Sequence, residues 1–185
     1  MTKTIRLARR DEAAALYSLI ESHRVEGHLL PRTLEELERH AERFVVIEQA
    51  SSFDGSECRA STIVACAELM KLSTHVAEVR SLVVDREHRG GGVGSDLMSA
   101  LVGAARDAGY LSLCAFTHSP AFFVRQGFSI VPHVWVPEKI QADCSTCALF
   151  RHCAQYAMLL PLDLMAGALR QSHGRPGDRI SVHAA

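Results

Sequence analysis

The stretch that most constrains this chain is Glu78 to Gly94, EVRSLVVDREHRGGGVG. Its apolar run, Val79, Leu82, Val83 and Val84, reads as a buried strand. Asp85 to His88 interrupts the run. Arg89-Gly90-Gly91-Gly92-Val93-Gly94 then leads into a helical pattern in which Val93, Leu97 and Leu101 recur at helical spacing. A strand, a glycine-rich turn and a helix together present bare backbone N–H groups at the positive end of a helix, which suits a phosphate or pyrophosphate. Three consecutive glycines remove the side chains that would hold an anion away from the backbone. The plainer alternative is a tight turn, but such a turn needs only one or two residues with positive φ.

Spacing separates the phosphate ligands. A nucleotide-triphosphate loop requires lysine after its last glycine, and Ser95 follows Gly94. A dinucleotide-binding turn counted from Gly92 requires a third glycine where Leu97 stands. Both readings fail.

The rest of the chain bounds the answer. Its 185 residues are most simply one domain with a real core. A formal net charge of −1 excludes a sequence-independent nucleic-acid binder, which needs a basic surface. Charge at Lys3, Arg6, Arg9, Arg10, Asp11 and Glu12 is unlike a secretory leader. The best apolar run, Ala157 to Leu164, carries Pro161 and Asp163 and does not read as a membrane span. A cytoplasmic protein is expected, in which six cysteines are thiols or metal ligands rather than a disulfide framework.

Local patterns give an order of elements. Thr4 to Ala8 reads as a strand, and Asp11 caps a helix with Leu16, Leu19 and Ile20 on one face. The loop Glu26 to Arg32 precedes a T-x-x-E capping box at Thr33 and Glu36. Strands are expected at Phe44 to Glu48 and Ile63 to Leu69, paired as a hairpin around a polar turn at Asp54-Gly55. The helix after the glycine turn ends near Ala108 at Gly109. Leu111 to Phe116 is a strand, and Ser119-Pro120 starts a short helix that stops at Gly127. Phe128 to Val136 and Tyr156 to Leu162 are the last strands. The expected domain is 1–166, with 137–166 its cysteine-containing C-terminal segment and 167–185 a tail. Helices interspersed with hairpins indicate an α/β (α+β) fold with a mixed sheet covered by helices.

The R-x-x-G-x-G spacing of Arg89, Gly92 and Gly94 resembles the coenzyme A pyrophosphate loop of the GCN5-related N-acetyltransferase (GNAT) superfamily. The element order and the segment Ala121-Phe122-Phe123-Val124-Arg125-Gln126-Gly127-Phe128 resemble that superfamily over about residues 4–136. The resemblance implies a mixed, largely antiparallel central sheet flanked by helices. It also implies acetyl-CoA as co-substrate, bound by Leu82, Val83, Val84, Arg89, Gly90, Gly91, Gly92, Val93 and Gly94. A narrower likeness lies in Gly27 to Thr33, Ala77 to Val84 and Phe116 to Ser119, which resemble short, stand-alone N-acetylglutamate synthases. That implies L-glutamate as acceptor, in the first step of arginine biosynthesis. Another amine acceptor, or a non-catalytic acetyl-CoA or metal sensor, is the alternative. No nucleic-acid or membrane partner is expected, and a homodimer is left open.

The chemistry selects residues. The amine of a free amino acid is mostly protonated, so a base must take its proton. Glu78 sits among apolar neighbours before the turn, where burial raises a carboxyl pKa, although a structural ion pair with Arg80 is the alternative. Strict alternation places Glu78, Arg80 and Leu82 on one face and Val79, Ser81 and Val83 on the other. Backbone N–H groups of Leu82, Val83 or Val84 on a splayed strand would polarise the acetyl carbonyl. Ser119 matches the synthase family's proton donor to the leaving thiolate, and it also reads as a helix cap. Two carboxylates on glutamate need two cations: Arg32 matches the family's substrate loop, and Arg80 or Arg151 would be the second. Cys114 reads as a buried thiol. Cys144, Cys147 and Cys153 with His152 have metal-ligand spacing, but a second C-x-x-C is missing and no obligatory metal is predicted.

Overall fold

The computed structural model describes residues 3–27, 29–50 and 61–162. The expected turn at Asp54-Gly55, the tail and His28 lie outside them. Seven strands form one sheet in the order β1-β2-β3-β4-β5-β7-β6. They are β1 (Lys3–Leu7), β2 (Phe44–Ala50), β3 (Ser61–Lys71), β4 (Val76–Val84), β5 (Ser112–Thr117), β6 (Ser129–Val131) and β7 (Tyr156–Pro161). The expected β2–β3 hairpin is present, and every neighbouring pair is antiparallel except β4 with β5. The parallel pair needs a crossover, and the helix after the glycine turn supplies it.

The helices are α1 (Ala13–Arg24), α2 (Leu34–His40), α3 (Val93–Asp107), α4 (Pro120–Arg125) and α5 (Pro137–Ala142). Thr33 caps α2 by accepting the Glu36 N–H at 3.2 Å. Two cores form, one on each face of the sheet. Leu97, Met98 and Leu101 of α3 pack on Val45, Ile47, Ala65 and Ala67. Leu16, Ile20 and Leu37 of α1 and α2 pack on Phe44, Val46 and Cys66. Alternate residues of β2 and β3 thus serve opposite cores, as a period of two requires.

Two expectations are corrected. The strand expected over Phe128 to Val136 is only Ser129–Val131, because Pro132 has no N–H to continue the ladder. The following residues make a helical turn at His133–Trp135 and then α5, which the periodicity did not reveal. Strict alternation along β4 also fails. Ser81 has φ +49, and the β3 register passes from Cys66↔Val83 to Glu68↔Arg80, so two residues of β4 oppose Ala67 alone. This bulge reverses the facing: Val79 packs in the α3 core, whereas Val83 packs with α1 and α2, and Leu82 and Val84 turn to the α3 side.

Candidate active site

The bulge lies where the sheet opens. Pairing of β4 with β5 ends at Val79↔Ala115, while β4 continues to Val84. Beyond that point the edge of β4 facing β5 has no strand partner among the described residues. The Asp85 N–H donates to Val64 O of β3 at 2.8 Å. Alternation therefore directs the N–H groups of Val84 and Leu82 to the opposite edge, into the opening, and that of Val83 toward β3. Directed backbone donors of this kind can meet a developing oxyanion.

A cleft of about 1250 Å³ occupies the opening. It is walled by the α1–α2 loop, the end of β4, the glycine turn, α4, and the segment from His133 to Gln155. On the coenzyme side, Gly90 and Gly92 have φ of +79 and +82, and Gly92 stands at the N-cap of α3. A Cβ built at Gly90, Gly91 or Gly92 meets nothing within 4 Å, so the space above the turn is open to an anion. Gly94 serves packing instead: a Cβ there lies 3.3 Å from the Phe122 ring. Arg89 donates to Val84 O at 2.9 Å and pairs with Glu26 at 3.1 Å, and Arg86 holds the same carboxylate at 2.8 Å. These two guanidinium groups hold the Glu26 carboxyl well down, at about 2.

At the deep end Glu78 is 2% exposed. Arg80 Nε donates to one of its oxygens at 2.6 Å and Lys139 Nζ to the other at 2.7 Å. Lys139 also donates to Asp143 Oδ2 at 2.7 Å, and Arg80 donates to the same oxygen. Two cations and two carboxylates thus close a charge-balanced group. Glu78 pairs with Arg80, but on the central strand rather than at an edge, and with a second cation from α5. The Asp143 carboxyl is desolvated, which raises its pKa, but hydrogen bonds and charge from Lys139 and Arg80 bring it below its ordinary value.

Arg32 reaches the cleft from the loop before α2 and is itself matched. Its NH1 donates to Glu68 Oε2 at 2.8 Å and to Ser81 Oγ at 3.0 Å, so it braces the bulge. Its Nε lies 3.1 Å from Glu36 Oε1 but at an angle that makes no hydrogen bond. Glu68 is 1% exposed and stands opposite Arg80 in the β3–β4 register.

Ser119 precedes α4 and lines the cleft, and its side chain makes no capping bond. Its hydroxyl is thus available to a ligand, while its N–H donates to Thr117 Oγ1 at 3.0 Å. Cys114 is buried beside Glu78, and burial pushes its thiol up. Cys144, Cys147 and Cys153 line the cleft, but among the described residues no group of three His, Cys, Asp or Glu is placed to hold a metal. The Arg151 side chain lies outside the described residues.

Lys139, Asp143 and His133 in the cleft escaped the sequence reading, as did Glu68, which is buried against Arg32 outside it. The signal for the first two was the i,i+4 pair Lys139–Asp143 after Pro137, which marks a short helix. His133 packs 5.5 Å from the Phe116 ring with its Nε2 buried and unpartnered among the described residues. No local pattern flagged it.

Comparison with known proteins now gives the family. Residues 11–128 match the family model described as the acetyltransferase (GNAT) family, and the chain belongs to it. The chain is an N-acetyltransferase, and acetyl-CoA is the acetyl donor of its family. An N-acetyltransferase of Chlorobaculum tepidum is 27% identical over 158 residues, covering 85% of this chain and 96% of that protein. An amino-acid acetyltransferase of Pseudomonas putida is 31% identical over 129 residues, covering 69% of this chain but only 28% of that enzyme. N-acetylglutamate synthase from Neisseria gonorrhoeae, solved with coenzyme A and N-acetyl-glutamate, superposes with a TM-score of 0.72 at 24% identity, over 88% of this chain and 36% of that one. A Mycobacterium tuberculosis protein solved with CoA and NLQ gives a TM-score of 0.68 at 23% identity, over 86% and 99% of the two chains. Among the described residues no helix is long and apolar enough to cross a membrane.

Proposed function

With acetyl-CoA-dependent acetyl transfer as the premise, we propose that the acceptor is the α-amine of L-glutamate. The observation that carries this reading is the convergence of Arg32, Arg80 and Lys139 on the cleft wall that holds Glu78. A dianionic acceptor needs such a cluster. Their protein partners leave donors over: Arg32 uses NH1 for its hydrogen bonds, and its NH2 makes none among the described residues. Similarity to the Pseudomonas amino-acid acetyltransferase supports the same substrate class.

The geometry supports the following steps. Glu78 takes a proton from the acceptor ammonium. A carboxylate offers about four lone-pair sites, and Arg80 and Lys139 engage one each, so the base role is compatible with the ion pairs. The freed amine attacks the thioester carbonyl, and the Leu82 and Val84 N–H groups meet the oxyanion. The C–S bond breaks as the attacking nitrogen gives up its second proton. Ser119 Oγ–H protonates the leaving thiolate and is reprotonated by that proton, and the proton held by Glu78 leaves to solvent. Because the group around Glu78 is charge-balanced and Arg32 is matched by Glu68, a second reading is an amino acid with a single carboxylate.

The test is coenzyme A thiol release with glutamate, glutamine, other amino acids and spermidine. Glutamate should be preferred. Arg32→Ala should lower kcat/KM for glutamate ten- to hundredfold, about 1.5–3 kcal/mol, with acetyl-CoA binding retained. A smaller loss for glutamine would assign Arg32 to the side-chain carboxylate, and an equal loss to the α-carboxylate or to bracing the bulge through Ser81 and Glu68. Turnover of spermidine with none of glutamate would sink the acceptor reading.

A further inference from the structure

Cys144 and Cys147, a C-x-x-C on the cleft wall, take no part in the acetyl-transfer steps. With Cys153 they place three free thiols on the wall of one cleft.

The local geometry suits a pair that can join. Cys144–Thr146 form one helical turn after α5, and the Cys147 N–H donates to Cys144 O at 3.1 Å. A turn closed in this way holds its first and last Cα within about 7 Å, and a disulfide bridges about 4.4–6.8 Å. Cys147 is exposed, whereas Cys144 is half-buried and desolvation raises its thiol. An oxidant therefore meets Cys147 first, and Cys144 follows as the resolving thiol.

The same turn is joined to the charge group at the deep end of the cleft. Asp143, its N-cap residue, directly precedes Cys144 and accepts from both Arg80 and Lys139, the two cations on Glu78. Thr146, inside the turn, donates to Asp143 O at 3.5 Å. Drawing the half-buried Cys144 toward the exposed Cys147 pulls on Asp143. With Asp143 displaced, Arg80 and Lys139 are left to Glu78, and a carboxylate held by two unshared cations is a weaker base.

We propose that Cys144 and Cys147 form a reversible dithiol–disulfide site whose closure withdraws Asp143 from the charge group around Glu78. Slower acetyl transfer then follows, a consequence that rests on Glu78 as the base. The oxidant is a low-molecular-weight disulfide. The Cys147 thiolate attacks one of its sulfurs and expels a thiolate, which takes up the Cys147 proton. The Cys144 thiolate then attacks Cys147 Sγ of the mixed disulfide, and the second thiol leaves with the Cys144 proton. Two electrons pass from the protein pair to the oxidant, and a reducing thiol reverses both steps.

The test equilibrates the full chain with oxidised glutathione, labels it briefly with an amine-reactive ester, alkylates the remaining thiols and maps peptides by mass. Wild type and Cys153→Ser should gain a Cys144–Cys147 link that dithiothreitol removes. Linked protein should label at Lys139 several-fold faster than reduced protein, with the exposed Lys3 and Lys71 as internal standards. Cys147→Ser should show neither the link nor the change in labelling. Thioester consumption in linked wild type should fall roughly tenfold or more. No link in excess oxidised glutathione, a link that uses Cys153 instead, or a link that leaves Lys139 labelling unchanged overturns the proposal. Labelling needs no acceptor, so its result is independent of whether glutamate is the substrate. A link that exposes Lys139 and leaves the rate untouched supports the site and refutes Glu78 as the base.

Discussion

Replacing Glu78 by Gln removes one charge from the middle of the Arg80–Glu78–Lys139–Asp143 group. Two cations would then share Asp143, and the amide NH₂ would face a cationic donor. Glu78 is 2% exposed, so solvent offers little compensation. Removing one partner of a buried pair costs about 3–5 kcal/mol. Side-chain exposures of 22% for Arg80 and 40% for Asp143 place this group at the lower end. For a chain of this size about 3 kcal/mol corresponds to roughly 6–12 °C in Tm. If Glu78 is also the base, kcat should fall about 10²–10⁴-fold, less at high pH where more acceptor amine is neutral. The double variant Glu78→Gln/Lys139→Met separates the two effects. It restores charge balance through Arg80–Asp143, and Met can rest on the Phe116 ring that Lys139 now covers at 5.2 Å. Melting temperature should recover most of its loss, and kcat should not. Recovery of kcat together with Tm would assign Glu78 a structural role alone. A Glu78→Gln variant that melts like wild type would refute the charge argument.

Gly92→Asp places a side chain and a negative charge at φ +82 with nothing within 4 Å to clash. Acetyl-CoA affinity should collapse while circular dichroism stays native, and unchanged calorimetric binding would remove the turn from the coenzyme site. Burial pushes the Cys66 thiol up to about 12 and also raises Cys114, whereas Cys147 and Cys153 are exposed. A disulfide reagent at mildly alkaline pH should therefore label Cys147 and Cys153 well before Cys66 and Cys114. Peptide mapping that found Cys66 among the first sites labelled would contradict the packing of Cys66 under α1 and α2.

By itself the sequence determined what short-range physics can write. Gly90, Gly91 and Gly92 before an amphipathic run made an anion-binding strand–turn–helix unit visible, because φ preference and helical period are local properties. Thr33, Gly109, Pro120 and Gly127 marked helix ends for the same reason. The family was legible from that unit and the order of elements around it. What depends on register was not legible. The bulge at Ser81 arises because two residues of β4 face one of β3, and it moved Val83 to the opposite core from the one alternation assigns. Arg32 read as a free substrate anchor, yet it braces that bulge through Ser81 and meets Glu68, a contact across 36 positions of sequence. Lys139 reaches Glu78, and Asp143 reaches Arg80, only because α5 and the residue after it fold back over the opening between β4 and β5. Burial makes the matching obligatory: a charge as enclosed as Glu78 or Glu68 must find a counter-charge, and only the tertiary fold decides which residue supplies it.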